Sequence, residues 1–275
     1  MKLSPHYLFL QYTTLCSSRC MSCHLWATPN PVTLPVEVVE RIPRFFDPTP
    51  LMEIYVTGGE PFLPDNCVDV YLALNRWKPG IALTSATNGL RPDIYLPKVR
   101  AIREAGGNLR VICSLNGRPE THDKTRGVPG NYQKTIEMAE GLAEMGALAT
   151  VNLLHVPGVT QQADIDHATQ VAARWGKPLF HSLMLRHMPW FGEEDDGATI
   201  PPFDCHSGDV LVILHTGEIV ACQEPRPQLV YGNLRDEHEI APETAARIQQ
   251  TVRTRGCQPC GCCTVAFTHG ARCMT

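Results

Sequence analysis

The sequence predicts an α/β fold, a partial (β/α)6 TIM-like barrel followed by a small C-terminal α+β extension. Two observations carry this. Between Tyr7 and about Arg186, short β-branched or apolar runs alternate with segments whose apolar residues recur every three or four positions, and after Met188 the texture changes abruptly. Strands are predicted at 7–13, 52–57, 81–87, 109–115, 149–155 and 179–185, and helices at 35–46, 66–77, 92–105, 132–145 and 161–175. Strands separated by helices form a parallel sheet wrapped by those helices, and six such units make an open barrel. Functional residues then belong at the C-terminal strand ends, in the loops that lead into helices. Residues 1–190 form this unit. An acidic run, Glu193 to Asp196, and Pro201-Pro202 mark a boundary. Beyond it, 203–275 holds a hairpin at 210–214 and 218–221 around Thr216-Gly217, and a helix at 242–253.

With 275 residues, 43% of them apolar, the chain can bury a sizeable core. The net charge of -4 comes from interspersed acids and bases, so no basic stripe invites nucleic acid. No run approaches ~18 apolar residues and no secretory signal opens the chain, which leads to an expectation of a cytoplasmic protein without membrane contact. The 12 cysteines gather at the two ends, with only Cys67 and Cys113 between, and those two read as small buried hydrophobes. Tight clustering in a cytosolic chain points to metal rather than disulfides.

Cys16, Cys20 and Cys23 form a CxxxCxxC triplet in the loop after the first strand. Three thiolates within eight residues, with no fourth nearby, suit a 4Fe-4S cluster that keeps one iron open. An open iron can bind a cosubstrate; a closed cluster can only pass electrons. Zinc is the alternative ligand, but the two separated pairs of a zinc ribbon are missing. One βα unit later, Thr57-Gly58-Gly59-Glu60-Pro61 stands at the end of the second strand. Its glycines let main chain approach a ligand closely.

On the triplet and this segment together, the chain resembles the radical S-adenosylmethionine (SAM) superfamily, which carries CxxxCxxC after strand one and GGEP after strand two. The resemblance implies that Gly58, Gly59 and Glu60 engage the amino group of SAM while the open iron chelates its amino and carboxylate groups. Further matches are SATNG at Ser85 to Gly89, SLNG at Ser114 to Gly117, and His122-Asp123 through Arg126-Gly127. They imply that Ser85 and Asn88 lie against the ribose and that Ser114 and Arg126 reach the SAM carboxylate. A guanidinium can grip a carboxylate through two parallel bonds. The 151–159 segment resembles the apolar wall of the adenine pocket. Two positions depart from the family pattern: Ser22 replaces the aromatic residue that often precedes the third cysteine, and Asn116 stands where relatives commonly have Asp.

The tail is similar to the SPASM or twitch extension of that superfamily. Cys205, a Gly217-x4-Cys222 hairpin and Cys257-x2-Cys260 resemble the one-cluster twitch domain of the butirosin-pathway dehydrogenase, which implies an auxiliary 4Fe-4S cluster on Cys205, Cys222, Cys257 and Cys260. A second auxiliary cluster would draw on Cys262, Cys263 and Cys273, whose spacing departs from the full pattern. Alternatively, Cys257, Cys260 and Cys273 resemble the three-cysteine site of the molybdopterin-precursor cyclase, or the tail binds zinc with His269.

The resemblance implies a SAM-cleaving oxidoreductase, fed by a one-electron donor such as flavodoxin or ferredoxin, whose 5′-deoxyadenosyl radical abstracts hydrogen from a substrate carbon. Oxidation, cross-linking or epimerisation of a small molecule or peptide would follow; a peptide maturase with a separate recognition partner is one form of this. A noncatalytic iron-sulfur electron carrier and a zinc-stabilised binding module are the alternatives of other classes. His155, His181, His187, His206 and His215 are candidates for a base or radical-quenching donor.

Overall fold

A computed structural model describes residues 1–23, 25–183, 209–221 and 229–255. Its sheet contains β1 (Tyr7–Thr13), β2 (Glu53–Gly58), β3 (Ala82–Thr87), β4 (Leu109–Ser114), β5 (Leu148–His155), β6 (Leu179–Leu183), β7 (Val210–Ile213), β8 (Glu218–Val220) and β9 (Val230–Asn233). The strand order is β6-β5-β4-β3-β2-β1-β7-β8-β9. Strands β1 to β6 run parallel, each beside its successor, as expected for an open α/β barrel. The C-terminal hairpin continues the same sheet: β7 lies parallel to β1 with Tyr7 opposite Val210, and β8 and β9 turn back antiparallel.

Helices α1 (Val36–Val39), α2 (Ile42–Phe45), α3 (Cys67–Trp77), α4 (Pro92–Glu104), α5 (Pro119–Arg126), α6 (Asn131–Glu144), α7 (Gln162–Ala173) and α8 (Pro242–Arg255) follow in chain order. The helix expected at 35–46 is two short ones, because Pro43 stands in the first turn of the second and supplies no N–H to a continuing ladder. Two elements are additional. α5 has only His122 and Thr125 buried, so no apolar stripe announces it; its signals are Pro119 in the first turn and a left-handed Gly127 as C-cap. β9 is only four residues long.

Strand alternation sends one set of side chains to the helices. Leu8, Leu10, Ile54, Val56, Leu83, Val111 and Cys113 form the main core with α3, α4, α6 and α8. Cys67 and Cys113 are fully buried there, in line with their reading as small hydrophobes, and burial pushes the Cys67 thiol up to about 12. The opposite, inner face holds a smaller cluster of Phe9, Val210, Val212, Leu214 and Val220, with Phe9 stacked on Tyr55 at 4.9 Å. Among the described residues no helix is long and apolar enough to cross a membrane.

Candidate active site at the C-terminal strand ends

The cysteine loop leaves β1 and is held by three neighbours. Backbone bonds from Arg19 N to Arg126 O (2.9 Å) and Met21 N to Thr125 O (3.0 Å) stitch it to the last turn of α5. Gly59 N donates to Thr13 O and Glu60 N to Leu15 O, both at 2.8 Å, so the GGEP segment crosses the strand's exit. This crossing explains both glycines: a Cβ at Gly58 would stand 2.2 Å from Thr13 O, and one at Gly59 2.2 Å from Leu15 O. Their close approach is to the backbone that leads into Cys16. Tyr12 Oη donates to Pro61 O from the end of β1, and Lys98 Nζ from α4 donates to the carbonyls of Phe62, Leu63 and Pro64 at 2.8 to 3.2 Å.

Glu60 is fully buried. Its carboxylate accepts Asn88 N (2.7 Å), Thr87 Oγ1 (3.0 Å) and Phe62 N (3.3 Å), which ties the end of β2 to the end of β3. Burial raises its pKa to about 7 against these donors. The carboxylate thus takes three hydrogen bonds inside the wall. Ser85 also has a partner inside the wall. Alternation puts it on the helix face, fully buried and hydrogen-bonded to Tyr71 Oη on α3, away from any cleft on the inner face. Val151 and Leu153 also face helices, which leaves Asn152 and Leu154 as the inner residues of β5.

Three expected site residues lie at the cysteine loop or on the inner face. Asn88 Nδ2 reaches Ser17 Oγ at 3.1 Å and lies 3.8 Å from Cys16 Sγ. Arg126 Nη1 stands 3.4 Å from Cys20 Sγ, and Arg126 Nε is buried with no hydrogen-bond partner among the described residues. Ser114 ends β4 on the inner face, opposite Asn152, whose Oδ1 accepts from Ser182 Oγ at 2.6 Å. Asn116 is buried, donates Nδ2 to Thr125 Oγ1 (3.1 Å) and accepts Leu154 N at Oδ1 (3.2 Å). An amide suits that position because it must both give and accept; its place in the interior explains why no carboxylate is presented to the cleft there.

Burial, opposed by a backbone N–H and reinforced by Glu60 and the neighbouring cysteines, pushes the Cys16 thiol up to about 11; burial also raises Cys23. Thiols that burial holds protonated, as at Cys16 and Cys23, gain most from a bound cation, which removes their protons outright. A cuboidal cluster fits this donor set, since each thiolate takes a different iron; among the described residues no three His, Cys, Asp or Glu groups close on a single ion. Of the histidines, the His155 and His181 rings lie 5.6 Å apart on β5 and β6, and His215 Nδ1 is 3.3 Å from Gln11 Oε1. His187 and His206 lie outside the described residues, as do Cys205, Cys222, Cys257 and Cys260.

Sequence reasoning missed Thr87, Asn131 and Thr135, which brace the strand ends from within. Their signal is absent locally, since buried Thr and Asn acquire partners only across elements.

Comparison with known proteins agrees with this arrangement. The Radical SAM superfamily model matches residues 10–170. A probable GTP 3′,8-cyclase of Archaeoglobus fulgidus is 27% identical over 154 residues, covering 55% of this chain and 50% of the relative. An AdoMet-dependent heme synthase of Methanosarcina barkeri is 25% identical over 205 residues, covering 73% and 56%. The chain thus spans about half the length of these curated relatives. Among solved structures, Streptococcus suis SuiB bound to its precursor peptide SuiA matches with TM-score 0.63 at 14% identity, covering 79% of this chain and 59% of that one. anSMEcpe with bound AdoMet and a peptide matches with TM-score 0.67 at 13% identity, covering 92% and 83%. At such identities the two structures speak for the fold. With the family model spanning more than half of the chain and the triplet lying within it, this protein belongs to the radical SAM superfamily, a family of enzymes built around SAM and a 4Fe-4S cluster.

Proposed function

We propose that the chain is a radical SAM oxidoreductase of the SPASM/twitch type, acting on a small molecule or a peptide. The observation that carries the SAM site is Arg126: one guanidinium nitrogen lies on Cys20 while Nε is buried and unpaired among the described residues. A buried donor without a partner costs about 1–3 kcal/mol, a cost that a carboxylate arriving beside the cluster relieves. Cys16, Cys20 and Cys23 would hold the cluster, Ser114 and Arg126 would take the SAM carboxylate, and Asn88 would border the ribose. Gly58 and Gly59 shape the loop, and Glu60 and Ser85 stand behind as positioning residues. When bound and reduced by a flavodoxin- or ferredoxin-like donor, the cluster supplies the electron that cleaves SAM to a deoxyadenosyl radical. This chain's residues then orient the reactants and exclude water on an inner face lined by Phe9, Tyr55 and Leu214. The peptide form of the reading draws support from the two peptide-bound structures, and the reduced thiols suit the cytoplasm.

We further propose one auxiliary cluster on Cys205, Cys222, Cys257 and Cys260 within 203–275. β7 and β8 pair antiparallel, which brings Val210, five residues after Cys205 in the chain, and Val220, two residues before Cys222, to the same end of the hairpin. A second reading, in which Cys257, Cys260 and Cys273 form a three-cysteine site, rests on the tail's resemblance to the molybdopterin-precursor cyclase.

Anaerobic reconstitution tests all of this. About eight irons per chain, a SAM-perturbed cluster spectrum and 5′-deoxyadenosine on reduction are expected. Replacing Cys16, Cys20 and Cys23 by Ala should leave about four irons and no deoxyadenosine. Cys222→Ala removes the auxiliary cluster in the first reading and spares it in the second. Stoichiometric zinc with no deoxyadenosine overturns the enzyme.

A further inference from the structure

His122 belongs to a segment whose Arg126 has a role but whose histidine has none assigned. It is fully buried under the strand ends. Its Nδ1 accepts the backbone N–H of Asn116 at 3.0 Å, which leaves that nitrogen without a proton and puts the ring's single hydrogen on Nε2. Nε2 lies 3.3 Å from Thr135 Oγ1, so it donates there. Thr135 Oγ1 in turn donates to Asn88 O at 3.1 Å, a carbonyl that also accepts Asn131 Nδ2 at 3.2 Å. Asn88 N then donates to Glu60 Oε2 at 2.7 Å. The ring's tautomer sets the order from Asn116 N to Asn88 O, along which Thr135 Oγ1 also accepts Asn131 Nδ2 at 3.2 Å; the Asn88 N–H, in the preceding peptide unit, donates to Glu60 in any case. The series crosses from the end of β4, through α5 and α6, to the ends of β3 and β2. Gly89 lets α6 come this close, since a Cβ there would stand 2.8 Å from the Thr135 Cα.

We propose that His122 and Thr135 are positioning residues for SAM binding: through this relay they fix the Asn88 peptide, and with it the Asn88 amide that faces Ser17 and Cys16. The inference rests on the reading of the cysteine loop as the SAM site. It assigns His122 no proton transfer, in keeping with a ring that burial and the nearby Arg126 hold neutral, its pKa lowered to about 3. Its role is to present one acceptor and one donor in a fixed order. Fixing Asn88 matters because its side chain is the one polar contact described between the β3 end and the cysteine loop.

The test is SAM titration of the reconstituted enzyme, read as the SAM-dependent change in the reduced cluster's electron paramagnetic resonance signal. Thr135→Val keeps the shape and removes the relaying hydroxyl; it should weaken SAM binding about tenfold while iron content stays near wild type. Thr135→Ser keeps the hydroxyl and should bind SAM within about twofold of wild type. His122→Asn preserves an acceptor near the Nδ1 position but cannot reach Thr135, so it should match the Val variant even if the latter folds poorly. Wild-type affinity in Thr135→Val or His122→Asn overturns the relay, as does equal weakening in the Ser and Val variants, which would make packing responsible. A wild-type cluster with no response to SAM instead removes the SAM-site reading on which the relay stands.

Discussion

Arg126 Nη1 stands 3.4 Å from Cys20 Sγ, although 106 positions separate the two residues. The contact exists because α5 ends at Arg126 and its last two carbonyls accept the backbone N–H groups of Arg19 and Met21. The helix end and the cysteine loop are therefore one rigid piece, and the guanidinium is delivered to the cluster site by backbone bonds rather than by its own flexible stem.

Removing that guanidinium should separate SAM binding from cluster binding. Arg126→Met is expected to weaken SAM binding roughly 10- to 100-fold, the equivalent of about 1.5–3 kcal/mol for a charge-assisted bond, with iron content unchanged. Arg126→Lys should recover only part of the loss, because an ammonium lacks the planar fork. Equal affinity in the Met variant, measured by titration, would remove Arg126 from the site.

Gly127 and Gly130 offer a controlled comparison. Both have positive φ, +68° and +78°, but a Cβ at Gly127 would stand 2.2 Å from Arg19 O, whereas one at Gly130 meets nothing within 4 Å. Gly130→Ala should cost only the backbone strain, about 1–2 kcal/mol, and retain full iron. Gly127→Ala should push the cysteine loop away and lower the reconstituted iron content, as iron analysis of the two variants side by side will show.

Stability should depend on pH through two buried groups of opposite sign. The His122 pKa falls from an ordinary 6.5 to about 3, so its contribution is present above pH 6.5 and is lost as pH drops toward 3. The Glu60 pKa rises from 4.5 to about 7, so the folded state holds that proton better and loses this advantage as pH climbs from 4.5 to 7. Anaerobic melting curves should show the difference between wild type and His122→Asn growing from pH 5 to 6.5 and then levelling. The difference between wild type and Glu60→Gln should shrink from pH 5 to 7; parallel profiles would contradict both assignments.

Asn116→Asp restores the residue that resembling sequences carry, yet should destabilise this chain. A carboxylate cannot donate to Thr125 Oγ1 as the amide does at 3.1 Å, and its charge would be buried. A cost of about 1–3 kcal/mol corresponds to a fall of several degrees in melting temperature by calorimetry. An unchanged melting temperature would show that Thr125 simply reverses its hydrogen.

The alternation of strands and helices was legible because each element's signal is local: a period of two or of 3.6 within a dozen residues, as in β4 or α4. α5 escaped because its burial consists of His122 and Thr125, polar residues that an apolar pattern cannot register. The site divided along the same line. Which strand ends carry it could be read, but the facing of individual side chains at those ends could not. Ser85 shares its face with Leu83, and Glu60 accepts from Thr87, Asn88 and Phe62, facts set by pairing among segments far apart in the chain.

By itself, then, the sequence determined the spacing of three thiols within eight residues and the strand order that puts them at the C-terminal strand ends. Only the tertiary structure decided that the GGEP glycines make room for the loop's own backbone and that Glu60 braces the wall from behind. It also decided that His122 sits at the centre of a directional chain. The physical reason is that thiol spacing is written along the chain, whereas a buried hydrogen bond needs a donor and an acceptor that meet only when distant strands and helices pack.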